Sequence, residues 1–272
     1  LSVLSGAEAI VQAEAVSVPA PSGSGFVWLD ERNTGAWHYA AGTFVHPLAL
    51  EVLNEVAYLL DGGRVLALDL AQQAAPRVLL APGDDVEGVR VLEPLDLASG
   101  GGSLLVLDRA GDVYGYNAEN EQWTVEHHGR PPGETYDHYY VALATGAGAE
   151  APGPYYLLET SHEQVWRFLP GAEGEPWADL DLRRDVDLAA SAQHAAPLQV
   201  YVLTRDLNTP LGQLSLYRDG REDAAFQPDV ELMHPRQVVA GPGGVFVLDR
   251  AGRRVLALEP STGSLLGLYQ FA

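Results

Sequence analysis

Short runs of large apolar residues, each ending in a Leu and a polar residue, recur along the chain. The six junctions are Leu29-Asp30, Leu60-Asp61, Leu107-Asp108, Leu158-Glu159, Leu203-Thr204 and Leu248-Asp249. A turn, usually with Gly, and a second apolar run follow, as in residues 62–70 and 110–117. Short β-rich runs joined by Gly-containing turns indicate hairpins. The pattern therefore predicts about six repeated hairpins.

Two further strands are predicted for each repeat. A strand of smaller residues precedes each hairpin, at residues 15–18, 47–50, 94–98, 141–144, 186–190 and 237–240. A more variable strand follows it, often with an aromatic residue, as at 122–126, 177–180 and 265–271. Four strands per unit at intervals of about 45 residues are typical of propeller blades. The small-residue strand is expected innermost, because strands crowd around the axis there.

The predicted fold is all-β: a single six-bladed β-propeller with four-stranded antiparallel blades. The predicted blades span residues 12–45, 46–90, 91–128, 138–182, 185–230 and 235–272. The interval between Asp30 and Asp61 is short by about one strand relative to this period. The first blade is therefore predicted to have three strands or to borrow residues 1–5. Sparse helix is expected only in the first fifteen residues or in a loop.

Residues 245–259, with the sequence VFVLDRAGRRVLALE, resemble the NHL-type repeat. The chain as a whole resembles the six-bladed propellers of the NHL, YVTN and TolB-like group. Thr204, which stands in place of an acidic residue, and the short first interval depart from the repeat. Because that group includes binding modules, scaffolds and some enzymes, the resemblance implies an architecture and no single activity.

Composition excludes several classes of function. The net charge is −21 and all 16 basic residues are Arg, so neither nucleic acid nor an anionic membrane surface is expected as a partner, for lack of a basic face. No run of about 18 apolar residues predicts a membrane span. The absence of Cys excludes disulfides and thiolate metal sites, and leaves export and cytosol both open. The absence of Lys excludes Schiff-base chemistry, and no GxSxG, HExxH, P-loop or dinucleotide motif is present.

The longest predicted connector, residues 127–140, is dense in His, Tyr and Arg, which are side chains suited to recognition. It is predicted to form a binding face together with Arg residues at the starts of inner strands. The candidate binding residues are Arg130, Tyr136, His138, Tyr139, Tyr140, Arg184, His234 and Arg236. An anionic or carbohydrate-like molecule, or an acidic loop of a protein, would suit Arg and Tyr side chains. The alternative is a Pro-stiffened connector whose aromatic residues pack on the neighbouring blade, with Arg residues that pair with nearby acids.

Two sets of residues are candidate metal ligands. His46, His138 and His234 precede inner strands of alternate blades, which places them too far apart to share one Zn²⁺ ion. Asp96 and Asp187 occupy equivalent inner-strand positions, where two channel-facing carboxylates could hold Ca²⁺. The favoured alternative is a hydrated channel, or hydrogen bonds to neighbouring inner strands. No metal or cofactor is therefore predicted, with Ca²⁺ as the weaker possibility.

The acids of the turns are interpreted as architecture, because an active site would occur only once. These residues are Asp30, Asp61, Asp108, Glu159 and Asp249. Each is expected to accept backbone N–H bonds within its turn and to pair with an Arg. The candidate partners are Arg109, Arg205 and Arg250, which follow three of the junctions.

These features favour a non-catalytic sensor or interaction module that binds a protein or a small molecule at its loop face. We expect it to be the extracytoplasmic part of a larger bacterial signalling or surface protein, although a cytoplasmic location is compatible with the composition. The competing hypothesis is a metal-dependent enzyme of the lactonase or sugar-acid type that acts at the mouth of the channel. A purely structural scaffold is a third class.

Overall fold

The computed structural model describes residues 2–3, 25–29, 34–38, 44–54, 56–69, 75–129, 139–146, 153–180, 185–191, 199–205, 209–241 and 244–270. These residues form β-strands, turns and short irregular connections, and none of them lies in a helix. Accordingly, no helix among them is long and apolar enough to cross a membrane. The predicted all-β class is confirmed for this part of the chain. The predicted first inner strand, residues 15–18, lies outside it.

Five sheets carry four consecutive antiparallel strands each. The first sheet consists of β4 (Pro47–Leu53), β5 (Val56–Asp61), β6 (Arg64–Asp69) and β7 (Arg77–Leu80). The second consists of β10 (Pro94–Gly100), β11 (Ser103–Asp108), β12 (Val113–Asn117) and β13 (Gln122–His127). The third is β14 (Tyr140–Thr145), β15 (Tyr155–Glu159), β16 (Gln164–Phe168) and β17 (Glu175–Asp179). The fourth consists of β18 (Asp185–Ser191), β19 (Gln199–Arg205), β20 (Leu211–Arg218) and β21 (Arg221–Glu222). The fifth consists of β23 (Pro235–Gly241), β24 (Gly244–Asp249), β25 (Arg254–Leu258) and β26 (Leu265–Gln270).

The remaining strands form smaller arrangements. The two-residue strand β22 (Leu232–Met233) pairs with β20, and β8 (Asp85–Val86) forms a short hairpin with β9 (Val89–Arg90). Before residue 44, β1 (Ser2–Val3), β2 (Gly25–Leu29) and β3 (Thr34–His38) form a three-stranded sheet in which β1 is parallel to β2. The described strands thus give a β-propeller with five four-stranded blades, and the count of six stays a prediction.

The second strand of each blade is buried on both faces because another blade packs against each face. All five residues of β15 are buried, as are five of the six in β5. Leu60, Leu107 and Leu158, which the repeat identified as junction residues, have no exposed surface. Continuous apolar runs in these strands, instead of a strict alternation, follow from this two-sided burial.

The small-residue strands lie innermost, as predicted. The strands β4, β10, β14, β18 and β23 each form one edge of their sheet and pack against one another in that order. Each begins with a register shift that leaves one residue out of the pairing, namely Leu48, Leu95, Val141, Val186 and Arg236. Bulges of this kind redirect a side chain at the rim of a barrel or ring. We call the end of the blades where these strands begin the mouth face.

Candidate functional site

The mouth face is organised by the buried carboxylates of the hairpin turns. Asp61, Asp108, Glu159 and Asp249 have no exposed surface. Each accepts a hydrogen bond from the backbone of the connector that enters the inner strand of the same blade. The donors are Val45 N at 2.9 Å and His46 N at 2.6 Å for Asp61, Leu92 N at 2.7 Å for Asp108, Tyr139 N at 3.3 Å for Glu159 and Met233 N at 3.1 Å for Asp249. The prediction that these acids are architectural is confirmed for these four; Asp30 lies outside the described residues.

The Arg partners of the turn acids differ from those predicted. Arg64 pairs with Asp61 at 3.5 Å and Arg254 pairs with Asp249 at 2.8 Å, so the pairing Arg lies on the following strand. Arg109, which directly follows Asp108, instead pairs with Glu93 at 2.6 Å. A residue directly after the acid projects away from the buried carboxylate, and this geometry makes the predicted pairing with the next residue wrong.

The pKa of the buried turn carboxylate is raised at one turn and lowered at another. At Asp108, burial raises the pKa despite the hydrogen bonds from Leu92 and Ala110. At Glu159, burial also acts to raise the pKa, but the hydroxyl of Ser161 and several backbone N–H groups hold it below its usual value. These carboxylates are engaged by the protein's own donors, which leaves them little capacity to bind a ligand.

Large apolar side chains are exposed around the mouth face. We call the following six residues the mouth ring: Val45 (73% exposed), Leu48 (49%), Leu92 (53%), Tyr139 (61%), Val141 (39%) and Met233 (39%). Of the five other exposed large apolar residues among the described ones, Leu211 pairs with Met233 at the start of β20, Val78 lies on an outer strand, and Leu169, Leu265 and Leu266 lie at the opposite end of the blades. Exposed apolar residues that are scattered singly need no explanation. The six ring residues differ, because they share one end of the blades and recur at or just before the starts of four inner strands.

The exposure of the mouth ring follows from the backbone. Val45, Leu92 and Met233 each stand two residues before the first residue of an inner strand, and each donates its N–H to a buried turn acid. Because the amide points into the blade, the side chain remains outside it. Leu48 and Val141 are bulge residues, which the register shift removes from the alternation of the strand.

Four of the predicted binding residues, Arg130, Tyr136, His138 and Arg184, lie outside the described residues. Tyr139 is exposed and belongs to the mouth ring, whereas Tyr140 is buried. The Tyr140 ring packs edge-on against His127 of the preceding blade at 6.1 Å between centroids, and against Phe168 at 6.4 Å. Tyr140 therefore packs in the core, in agreement with the alternative interpretation that aromatic residues of this connector pack on the neighbouring blade, and it offers no surface to a ligand.

His234 and Arg236 are both exposed at the mouth face. His234 adopts a φ of 57°, a left-handed conformation that costs a non-Gly residue about 1 kcal/mol. His46 is also exposed and occupies the matching place before its inner strand, where the β14 blade instead has Tyr139. Arg236 is the only charged residue among the five bulge positions.

The two inner-strand aspartates bind neighbouring blades together. Asp96 on β10 accepts a hydrogen bond from Leu143 N on β14 at 2.7 Å, and Asp187 on β18 accepts one from Val238 N on β23 at 2.8 Å. The two contacts are equivalent, since each links an inner strand to the next one around the ring. This agrees with the alternative of hydrogen bonds to neighbouring inner strands. Among the described residues, no group of three or more His, Asp or Glu side chains is arranged to hold a metal ion.

A third inner-strand carboxylate, Glu51, was not singled out from the sequence. The Ser99 hydroxyl on β10 donates to Glu51 on β4 at 2.6 Å, and the Thr145 hydroxyl on β14 donates to the Ser99 carbonyl at 2.7 Å. Burial raises the pKa of Glu51 to about 7, and the neighbouring charge of Asp96 adds to the effect. Burial likewise raises the pKa of Asp96 to about 7. Both groups titrate near neutrality.

The mouth ring was also missed from the sequence, although a signal for it exists. An apolar residue, a variable residue and a Pro occur together at residues 45–47, 92–94 and 233–235. The Pro begins the inner strand in each case, so the apolar residue falls in the connector and cannot belong to the strand pattern. If this apolar residue is assigned to the hydrophobic pattern of the strand that follows, it is wrongly expected in the core.

No family model matches the chain, and no curated protein matches it. Among solved structures, it is similar to a chain in a crystal structure of a nidogen/laminin complex, with 13% sequence identity and a TM-score of 0.63 over 90% of this chain and 89% of that one. A weaker likeness, with 11% identity and a TM-score of 0.42, covers 65% of this chain and 70% of a glutaminyl cyclase from Myxococcus xanthus. The first likeness shows the β-propeller fold.

Proposed function

We propose that this β-propeller is a non-catalytic binding module that takes up a protein partner on its mouth face. The mouth ring carries the proposal: six large apolar side chains are held in water at matching positions by the backbone hydrogen bonds or bulges of their blades. Exposed apolar clusters of this kind mark interaction surfaces. Tyr and Met, which the ring contains, are enriched at protein interfaces.

The inner-strand and turn carboxylates support a binding role over a hydrolytic one. Asp96, Asp187 and the turn acids are used by backbone N–H groups of the protein itself. The similar fold occurs in a structure of a nidogen/laminin complex, which is a setting of protein binding for that protein. A role in binding here rests on the ring and not on that likeness.

The proposal extends to the architecture and location of the chain. The three-stranded sheet of β1, β2 and β3 is taken as a sixth blade of an NHL- or TolB-like ring, because β1 lies beside the inner strand β4. An extracytoplasmic location as part of a larger bacterial protein is also proposed. A crystal structure counts the blades directly, and cell fractionation tests the location.

The test uses a displayed library of random linear peptides selected on the immobilised 272-residue chain. Selected peptides are then measured against a ring variant, Val45→Ser with Leu92→Ser and Met233→Ser. We expect the ring variant to lose at least about 10-fold in affinity, because each lost apolar contact costs on the order of 1 kcal/mol. The substituted side chains are exposed, so the thermal unfolding of the variant should stay close to that of the wild type.

A matched control removes three apolar side chains from the opposite end of the blades, with Leu169→Ser, Leu265→Ser and Leu266→Ser. These residues are 44%, 40% and 47% exposed, similar to the ring. The control should keep the wild-type affinity. If no peptide is selected, or if both variants bind equally, the mouth face is not the binding surface.

A further inference from the structure

The mouth face is asymmetric in charge. In the blades of β4, β10 and β14 the ring is apolar, with Val45, Leu48, Leu92, Tyr139 and Val141. In the blade of β23 the bulge residue is Arg236, and the adjoining turn exposes Arg250 and Arg253. An apolar sector and a basic sector therefore lie on the same face.

The charge of Arg236 is not used within the described part of the molecule. Its side chain is exposed and forms no ion pair with any described residue. The buried acid of its own blade, Asp249, is already paired with Arg254 at 2.8 Å. By contrast, Arg109 at the mouth face of another blade is neutralised by Glu93 at 2.6 Å.

The chain as a whole is strongly acidic, so the exposed Arg236 is a local exception on its surface. A chain of net charge −21 repels acidic partners from most of its surface. A guanidinium that forms no ion pair with a described residue, and that stands three residues after the exposed Met233 of the mouth ring, gives an acidic group one favourable place to dock. Arg binds carboxylates through two parallel hydrogen bonds, and it is enriched with aromatic residues and Met at binding hot spots.

Resting on the proposed function, we infer that the partner is a protein segment with apolar side chains next to a carboxylate. Its apolar side chains pack on the mouth ring, and its carboxylate pairs with Arg236. The carboxylate comes from an Asp or Glu side chain or from the end of a chain, since both present the same two oxygens to a guanidinium. This pairing fixes the direction in which the segment lies across the mouth.

The experiment uses the peptides selected on the wild-type chain. We expect them to share an Asp or Glu close to an aromatic or aliphatic residue. Arg236→Ala should weaken their binding at least about 10-fold, the loss expected for one charge-assisted hydrogen bond. Arg221→Ala is the matched control, because Arg221 is exposed at the opposite end of the blades, and it should bind as the wild type does.

Two further arms identify the carboxylate. Replacing the shared acid by Lys should restore binding to Arg236→Glu while binding to the wild type is lost. Synthetic peptides with a free and with an amidated C-terminus separate a terminal carboxylate from a side-chain one. A ring-dependent peptide that binds Arg236→Ala as tightly as the wild type overturns the inference alone. A selection without any ring-dependent peptide overturns the proposed function as well. Binding of the chain to vesicles of anionic lipid is measured in parallel, and binding to vesicles but to no peptide also overturns the proposed function.

Discussion

Asp108 combines two roles in one residue, because its carboxylate closes a turn and holds a connector. One oxygen accepts Ala110 N at 2.5 Å within the turn, and the other accepts Leu92 N at 2.7 Å from the strand entry. The side chain is fully buried, so water cannot replace either bond. The position of Leu92 in the mouth ring therefore depends on a carboxylate that no ligand reaches.

We predict that Asp108→Asn destabilises the fold by about 2 to 3 kcal/mol, because the new amide group places a donor against a buried backbone donor. Denaturant unfolding measures the change. Asp85→Asn is the control, since Asp85 accepts Gly88 N at 2.9 Å in an exposed turn and should change stability by less than about 0.5 kcal/mol. Equal effects at the two sites would show that Asp108 is not a buried anchor.

At the scale of elements, the inner strands contain carboxylates whose proton affinity depends on folding. Burial raises the pKa of Glu51 from 4.5 and that of Asp96 from 3.8, each to about 7. At pH values between the ordinary pKa of these two groups, which holds in the unfolded chain, and the raised pKa in the folded chain, Glu51 and Asp96 keep protons in the folded state that they have released in the unfolded state. The stability contributed by this difference is complete below about pH 4 and is lost as the pH rises to about 7.

We predict that Glu51→Gln makes stability less dependent on pH in this window. The wild type should lose up to about 3 kcal/mol through Glu51 between pH 4.5 and 7, and the variant should not. Urea unfolding at a series of pH values measures the slope. Glu119→Gln serves as the control for overall charge, because Glu119 is exposed. If both variants follow the same slope as the wild type, Glu51 ionises normally in the folded state.

The strands could be predicted from the sequence more completely than the site. The five described inner strands overlap the runs of small residues that predicted them, and three of these strands begin at a Pro, namely Pro47, Pro94 and Pro235. The exposure of Leu48 and Val141 could not be read from alternation, since a bulge shifts the register at both. Likewise, Tyr140 has the composition of a recognition residue, and only its packing against the neighbouring blade shows that it belongs to the core.

At the scale of the whole molecule, hydrogen bonds between blades make the ring cooperative. Glu51 and Ser99 join β4 to β10, Asp96 joins β10 to β14, and Asp187 joins β18 to β23. Each blade also buries both faces of its second strand against neighbours, so a single blade cannot retain its core when the next one unfolds.

We therefore predict one calorimetric transition, with equal calorimetric and van't Hoff enthalpies. Asp187→Ala leaves Val238 N without its acceptor and should lower Tm by about 4 to 8 °C, given about 2 kcal/mol for a buried donor left unpaired. The transition should stay single, because the loss is shared by the ring. Asp179→Ala, which removes only an exposed bond to Gln164, should leave Tm nearly unchanged. Two separate transitions, of which Asp187→Ala moves one, would mean that the blades unfold as independent groups.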